Sequence, residues 1–133
     1  MRRLFVMIIA VMVAGCNLNT VSPTPAPTAD IPRVEFLYPE SSPDNPARVV
    51  EGTDLTIDVV ARDETAGIYR VELYLNGQLL NESPPQLEPL PVFRVEMNWF
   101  ANGIGRHVLS AIAYRQDGTQ SNMTTLMVEV IAP

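Results

Sequence analysis

The sequence predicts an all-β fold, a sandwich of about seven antiparallel strands. Three observations lead to this prediction: apolar and polar residues alternate in short runs, turn residues separate the runs, and no helical apolar period is sustained. Successive side chains of a strand point to opposite faces, so each alternating run indicates a strand with one buried face. Residues 33–133 span about 100 positions, which is enough for one domain with one core.

The predicted strands begin at residues 34–38. Two hairpin turns are indicated further along, at Asn76-Gly77 and at Asp117-Gly118. Asn-Gly between alternating runs is a strong hairpin signal because both central residues of its turn require positive φ. A short strand follows the first turn, and the other runs lie at residues 55–62, 70–75, 93–99, 109–114 and 126–130. The side chains predicted to face the core are Leu55, Ile57, Val59, Ala61, Val71, Leu73, Leu75, Phe93, Val95, Met97, Trp99, Leu109, Ala111, Ala113, Leu126, Val128 and Val130.

A proline-rich stretch at residues 83–91 interrupts this pattern. Proline has no N–H for a ladder hydrogen bond, so the stretch is not a regular strand. We expect a loop that crosses between the layers and shields the edge of a sheet. Short antiparallel strands at these spacings are typical of an immunoglobulin-like or fibronectin-type sandwich.

Three segments resemble a known family. Residues 62–77 contain an acidic loop with glycine and then a Val-Glu-x-Tyr-x-Asn-Gly hairpin, Trp99 follows, and residues 105–114 alternate as Gly-x-His-x-Leu-x-Ala-x-Ala. Together they resemble the bacterial Ig-like domains of secreted and surface proteins, over nearly all of residues 33–131. The resemblance implies the same sandwich, but its motifs are structural and specify little about function. Arg115 departs from the family, in which an aspartate commonly follows the alternating strand.

The beginning of the sequence indicates export and lipid attachment. Arg2 and Arg3 precede an apolar run at residues 4–13, which is too short to span a bilayer as a helix. The run leads into Val-Ala-Gly-Cys, an ending that resembles the lipobox of bacterial lipoproteins. The resemblance implies that residues 1–15 are a signal peptide and that Cys16, the only cysteine, receives a diacylglyceryl group. An ordinary secretory signal is the alternative, and the arginine pair also matches part of a twin-arginine signal.

Residues 16–32 are expected to tether the domain to this lipid. Prolines alternate with small residues there, which favours polyproline II and a reach of up to about 50 Å. Each buried methylene of an acyl chain contributes about 0.8 kcal/mol, so two or three chains hold a protein at a membrane. We therefore expect an extracytoplasmic protein, anchored by lipid in the cell membrane or the outer membrane, with no cofactor besides this covalent lipid.

Net charge and the available side chains restrict the classes of function that we expect. Without residues 1–15, the nine basic residues fall to seven arginines against fifteen acidic residues, a formal charge of about −8, and lysine is absent. Binding of nucleic acid needs a cationic surface, so we expect none. The chain has one histidine and no Gly-x-Ser-x-Gly or phosphate-loop motif. We therefore predict that the protein is not an enzyme.

The polar candidates each have a structural interpretation beside the functional one. His107 is predicted to be packed and hydrogen-bonded near the core. Asp63 and Glu64 are a weak candidate for calcium, because calcium prefers carboxylates on loops, but side chains there can equally satisfy turn amides. Asp58 is predicted to be exposed in mid-strand, which separates it from the other two. Trp99 has the parity of the core and is expected to fill it.

An apolar patch is predicted on the outside of one sheet. In the immunoglobulin strand order, the strands that carry Tyr74, Ile112 and Met127 are neighbours. We expect their outward side chains to bind an envelope protein, since large apolar patches are seldom left bare. The alternative interpretations are scattered surface hydrophobes, or cover by the proline-rich loop. A glycan ligand and a purely structural spacer are the alternative functions. We call this predicted surface the outer patch; it consists of Tyr74, Val108, Ile112, Tyr114 and Met127, with Arg70 and Glu72 as polar contacts around it.

Overall fold

The computed structural model describes residues 29–133, which form a two-layered β-sandwich, as predicted. The signal segment, Cys16 and the predicted tether up to residue 28 lie outside the described residues. The strands are β1 Arg33–Tyr38, β2 Ala47–Val50, β3 Asp54–Arg62, β4 Arg70–Leu75, β5 Gln78–Glu82, β6 Val92–Phe100, β7 Gly105–Tyr114 and β8 Thr124–Ile131. One sheet has the order β1-β3-β6, and the other has the order β2-β8-β7-β4-β5. The part of the chain that the structure describes contains no helix that could span a bilayer.

The sandwich has eight strands rather than the seven predicted, because β2 was not recognised. Its four residues pair with the end of β8 in the parallel sense, Ala47 opposite Val128 and Val50 opposite Ile131. A strand this short shows hardly one cycle of alternation, and its partner is distant in sequence. Nothing local therefore distinguishes β2 from a loop.

The two predicted hairpin turns are confirmed by backbone geometry. Asn76 and Gly77 both have positive φ, 48° and 84°, as the turn between β4 and β5 requires. At the turn between β7 and β8, Gly118 has φ 91° and the Arg115 N–H donates to the Thr119 carbonyl at 2.9 Å. Both turns reverse the chain where the sequence places them.

The core lies between the two sheets and contains all seventeen predicted inward residues, either buried or packed against the buried cluster. Trp99 is buried there, as expected, and Tyr69 is half-buried. The buried cluster contains three further residues, which were not predicted because they lie just outside the alternating runs or in β2. These are Val49, Ile68 and Ala101.

The proline-rich loop crosses from β5 in one sheet to β6 in the other, as predicted. On its way it bonds to the edge of the sheet next to β4, since the Gln86 N–H donates to the Tyr69 carbonyl at 2.8 Å. Leu90 forms an isolated bridge with Ile68. The loop therefore covers the part of this edge that β5 is too short to reach.

The strand directions define two ends of the sandwich. The tether end, where β1 begins, holds Asp63 and Arg115, and the far end holds the turn at Asn76-Gly77. At the tether end, Pro32 is fully buried and Asp30 lies 3.2 Å from Arg115. The packed part of the chain therefore includes the last residues of the segment predicted as tether.

Candidate interaction face

The three strands that carry the outer patch are neighbours in the order β8-β7-β4, as the sequence predicts. Val108 lies opposite Met127, Glu72 opposite Ile112, and Arg70 opposite Tyr114. Tyr74 has the parity of Arg70 and Glu72 on the same strand. The structure therefore brings all seven residues of the outer patch onto one face of the five-stranded sheet.

The expected exposure of the outer patch is wrong for three of its residues. Ile112 is only 9% exposed, Tyr114 7% and Glu72 7%. Val108, Met127, Tyr74 and Arg70 are half-buried. The odd or even position of a residue in its strand assigns its side chain to a face of the sheet. It does not say how far neighbouring side chains extend over it. Here the Arg70 side chain lies over the Tyr114 ring, so the surface that a partner can touch is less apolar than predicted.

Four polar and aromatic side chains form a connected network at the centre of this face. The Arg70 guanidinium donates to Glu72 Oε1 at 2.8 Å, and its Cζ atom lies 4.0 Å from the centroid of the Tyr114 ring. The Tyr74 hydroxyl donates to Glu72 Oε2 at 2.5 Å. Arg70 thus has an ion pair and an aromatic face at once, which fixes its long side chain. We call Arg70, Glu72, Tyr74 and Tyr114 the polar network.

The polar network shifts the acidity of its members. Burial raises the pKa of Glu72, but hydrogen bonds from Tyr74, Tyr114 and Arg70 outweigh it and leave this pKa below its ordinary value. The hydrogen bond to Glu72 raises the pKa of Tyr74. Burial, followed by the bond to Glu72, raises the pKa of Tyr114 strongly. The carboxylate therefore stays charged and both hydroxyls stay protonated around neutral pH.

The weak calcium candidate lies at the tether end, and Asp63 there is already partnered. Arg115 Nε donates to Asp63 Oδ2 at 2.5 Å, and the Thr65 N–H donates to Oδ1 at 3.1 Å. The first of these bonds, with Arg115, is the main reason why the pKa of Asp63 lies below its ordinary value. Glu64 is exposed. Asp63 therefore bonds to the amides of its own turn, which was the structural alternative to a calcium site. Residues 29–133 hold no cluster of three or more metal-ligating side chains.

Asp58 is the third acidic residue weighed as a ligand, and its predicted exposure is wrong. It is 6% exposed, because Arg94 on β6 reaches across and donates from Nε to Oδ1 at 2.9 Å. The two residues are diagonal neighbours, since Asp58 itself lies opposite Glu96. Position on the outer face of a sheet therefore did not mean exposure to water.

His107 is packed and hydrogen-bonded, as predicted. Its Nε2 atom lies 2.6 Å from the Gly103 carbonyl, so Nε2 is the donor and Nδ1 accepts from Asn76 at 3.1 Å. Its ring centroid lies 5.3 Å from that of Trp99. The histidine thus ties the turn after β4 to the turn after β6 at the far end.

Arg115 is the residue whose role the sequence reasoning missed. The resemblance stated in the sequence analysis already marked it, because that resemblance implies an aspartate at this position. An arginine that follows a strand near an acidic turn is a signal for a buried ion pair, and here it forms one with Asp63. Arg115 thus supplies a cation that neutralises the enclosed Asp63 carboxylate.

The family comparison supports this interpretation of the fold. Residues 32–88 match the family model of a bacterial Ig domain. Over these residues the chain is similar to that family, and its fold is an immunoglobulin-like β-sandwich. Ig-like domains of this type are typically non-catalytic modules, and proteins that contain them are usually extracellular or displayed at the surface.

Solved structures share the architecture of this Ig-like domain. A fibronectin(III)-like module of CbhA from Clostridium thermocellum is 24% identical, with a TM-score of 0.58, and the match covers 75% of this chain and 98% of that one. A CARDB domain from Pyrococcus furiosus, in complex with di-metal ions, is 16% identical, with a TM-score of 0.52 and coverage of 80% and 99%. The PKD domain of an M14-like peptidase from a Thermoplasmatales archaeon is 19% identical, with a TM-score of 0.52 and coverage of 75% and 92%. At these identities the likeness concerns the fold alone. No curated protein matches the chain.

Proposed function

We propose that this protein is a lipid-anchored, non-catalytic module of the bacterial cell envelope that binds another envelope protein. The lipobox-like ending at Cys16 supports the anchor, and the Ig-like domain supports a display role. The proline-rich tether would carry the domain away from the membrane surface. The partner binds the face of β4, β7 and β8, and the acyl chains hold the complex at the membrane.

One observation carries the choice of this face: Arg70 is fixed by Glu72 while its guanidinium lies on Tyr114. Arginine and tyrosine dominate the binding energy of protein interfaces. A side chain that is already held in place loses less conformational entropy when a partner binds. Half-buried Val108 and Met127 lie beside each other on the same face and add apolar contact. The face therefore has an ordered polar centre next to an apolar area.

The geometry favours a protein over a glycan as the ligand. Sugars bind to open aromatic faces, and Tyr114 is almost entirely buried beneath Arg70. Tyr74 is the other outward ring, and its hydroxyl is committed to Glu72. An ordered Arg70 on an outward face also distinguishes a binding module from a spacer, which would need no such centre.

The binding face can be tested by crosslinking in the cell envelope. We expect a photo-reactive residue at Met127 to capture one reproducible partner, because this side chain is half-exposed beside the polar network. The control places the same reagent at exposed Thr56, on the outer surface of the other sheet. Arg70→Lys keeps the charge but loses the planar fork, and should reduce capture and the affinity of the purified partner about tenfold. Equal capture from Thr56, or no effect of Arg70→Lys, would contradict this face.

The anchor has an independent test. Radiolabelled palmitate should enter the wild-type chain and should not enter Cys16→Ser, because the lipid is attached through the sulfur. The Cys16→Ser protein should then leave the membrane fraction, since its acidic domain is not attracted to anionic headgroups. Label that enters both proteins, or neither, would refute the proposed anchor.

A further inference from the structure

β6 is the outermost strand of the three-stranded sheet. It pairs with β3 along its whole length, Val92 opposite Arg62 and Phe100 opposite Asp54. Among residues 29–133, no strand pairs with its other side. An edge strand of nine residues presents free N–H and C=O groups to which a further strand can add.

The hydrogen bonds at the two ends of this ladder show which groups are free. The Ala101 N–H donates to the Thr53 carbonyl at 2.8 Å, and the Asp63 N–H donates to the Pro91 carbonyl at 2.9 Å. Alternate residues of an antiparallel strand bond to the same neighbour, so the odd-numbered residues of β6 bond to β3. The even-numbered residues, among them Arg94 and Glu96, therefore point their N–H and C=O groups away from β3.

The charges on the outer face of β6 are unbalanced. Glu96 lies directly opposite Asp58, and like charges in that position are destabilising. Arg94 is paired with Asp58. Within residues 29–133 Glu96 takes part in no ion pair, since the six that the structure holds there are Arg48–Glu129, Arg62–Glu35, Arg70–Glu72, Arg94–Asp58, Arg115–Asp30 and Arg115–Asp63. A cation supplied from outside would offset this juxtaposition.

We infer that β6 pairs with β6 of a second copy of this chain, antiparallel and centred on Val95. In this register Arg94 of each copy lies opposite Glu96 of the other, and both residues have their free N–H and C=O groups directed at the partner. A shift of two residues in either copy would place Arg94 opposite Arg94, or Glu96 opposite Glu96. Charge complementarity therefore selects one register among those that the backbone allows.

The ladder between the two copies of β6 is short, so we expect the dimer to be weak. Leu90 is already bonded to Ile68 on the other sheet, so the shared ladder covers Val92 to Asn98 in each copy. This is well below the size of a stable dimer interface, so the pair forms only where chains are concentrated. The lipid anchor, which rests on the proposed function, would supply such concentration by confining the chains to one membrane.

Disulfide trapping tests the register directly. In the pairing above, Val92 lies opposite Asn98 of the second copy, at a Cα separation of about 5.5 Å that a disulfide can bridge. The full-length chain with Cys16→Ser removes the native thiol and makes the test independent of the anchor and of any other partner. At about millimolar concentration, the double variant Val92→Cys/Asn98→Cys should form covalent dimers under mild oxidation. An equal mixture of the two single variants should also form covalent dimers under these conditions.

Each single variant alone is the matched control. Two copies of position 92, or of position 98, lie about 20 Å apart in this register and cannot be joined. Dimers from a single variant at the yield of the double variant, or no dimer from the double variant, would overturn the inference.

Charge reversal provides the second measurement. In the trapping background, Glu96→Arg should lower the dimer yield about tenfold, because two arginines then face each other in each half. Arg94→Glu together with Glu96→Arg should restore it. This exchange places a cation directly opposite Asp58, where Glu96 stands in the wild type, so Asp58 still has a cationic neighbour on β6. A dimer yield that does not respond to Glu96→Arg would overturn the pairing.

Discussion

Arg115 neutralises a carboxylate that is enclosed by the tether end of the sandwich. The Asp63 side chain is 2% exposed and that of Arg115 is 11% exposed. Removal of one partner from a buried pair leaves an uncompensated charge, which costs about 3 kcal/mol. We therefore expect Arg115→Ala to lower the free energy of unfolding by about that amount in urea titrations at pH 7. Arg48→Ala breaks an ion pair whose arginine is 73% exposed, and should cost less than about 0.5 kcal/mol. Equal losses in the two variants would contradict the role given to Arg115.

The same pair gives the stability a defined pH dependence. The pKa of Asp63 in the folded protein lies below its ordinary value, mainly because of the bond from Arg115. Its contribution is therefore complete above about pH 4 and is lost as the pH falls through the folded pKa. Arg115→Ala removes this contribution, so the difference in unfolding free energy between wild type and variant should shrink between pH 5 and about pH 2. A difference that stays constant over this range would exclude the ion pair as its cause.

Tyr74 and Tyr114 should behave differently from ordinary tyrosines in alkali. Both have a raised pKa, Tyr74 chiefly through its bond to Glu72 and Tyr114 chiefly through burial. Their protonated forms stabilise the fold, so this stability is present below about pH 10 and is lost as the pH rises through the folded values. In a titration of tyrosinate absorbance, these two hydroxyls should ionise at a higher pH than ordinary tyrosines. Tyr74→Phe and Tyr114→Phe should therefore each remove part of the absorbance change at the highest pH. Loss of absorbance change at the lower pH instead would show that the polar network does not hold these hydroxyls.

At the scale of elements, two buried serines continue strands where their neighbours end. The Ser83 hydroxyl accepts from the Val71 N–H at 2.9 Å, while the Ser83 N–H donates to the Val71 carbonyl at 2.8 Å. Ser121 repeats this arrangement with Ala113, at 2.9 Å in both bonds. In each case a side-chain oxygen replaces the carbonyl that a regular ladder would provide. The two serines thus satisfy the backbone hydrogen-bonding groups of β4 and β7 at the tether end.

The serine contacts predict a matched pair of stability changes. Ser83→Ala and Ser121→Ala should each lower the free energy of unfolding by about 1–3 kcal/mol, because a buried strand N–H loses its acceptor. Ser42→Ala is the control, since its hydroxyl caps an exposed turn at Asn45 and should change the stability by less than about 1 kcal/mol. Chemical denaturation of the three variants measures this, and similar values for all three would refute it.

At the scale of the whole molecule, the two sheets share one core and should unfold together. Trp99 comes from the three-stranded sheet and packs in a cluster that includes residues of β4, β7 and β8. It is the only tryptophan, so its fluorescence reports on the space between the sheets. We expect its urea transition to coincide with the loss of strand signal in circular dichroism, as in a two-state domain. Separate midpoints would show that one sheet unfolds without the other.

Much of the architecture could be predicted from the sequence because it depends on neighbours along the chain. Alternation of apolar and polar residues identified the longer strands and their inward faces, and Asn76-Gly77 identified a turn by its need for positive φ. The order β8-β7-β4 followed from the sandwich type that these strands indicate. These features are local or are shared by all sandwiches of the type.

The tertiary structure decided which surface side chains are accessible, because that depends on residues far apart in sequence. Arg94 covers Asp58 from 36 positions away, and Arg115 reaches Asp63 across 52. Ile112 and Tyr114 have outward parity but are buried, and Arg70 from the neighbouring strand covers the Tyr114 ring. Parity follows from the backbone of one strand, whereas exposure follows from what the next strand places beside it. The sequence by itself therefore determined the fold and the face, and only the packed sheet determined that the face presents an ordered arginine rather than a bare apolar patch.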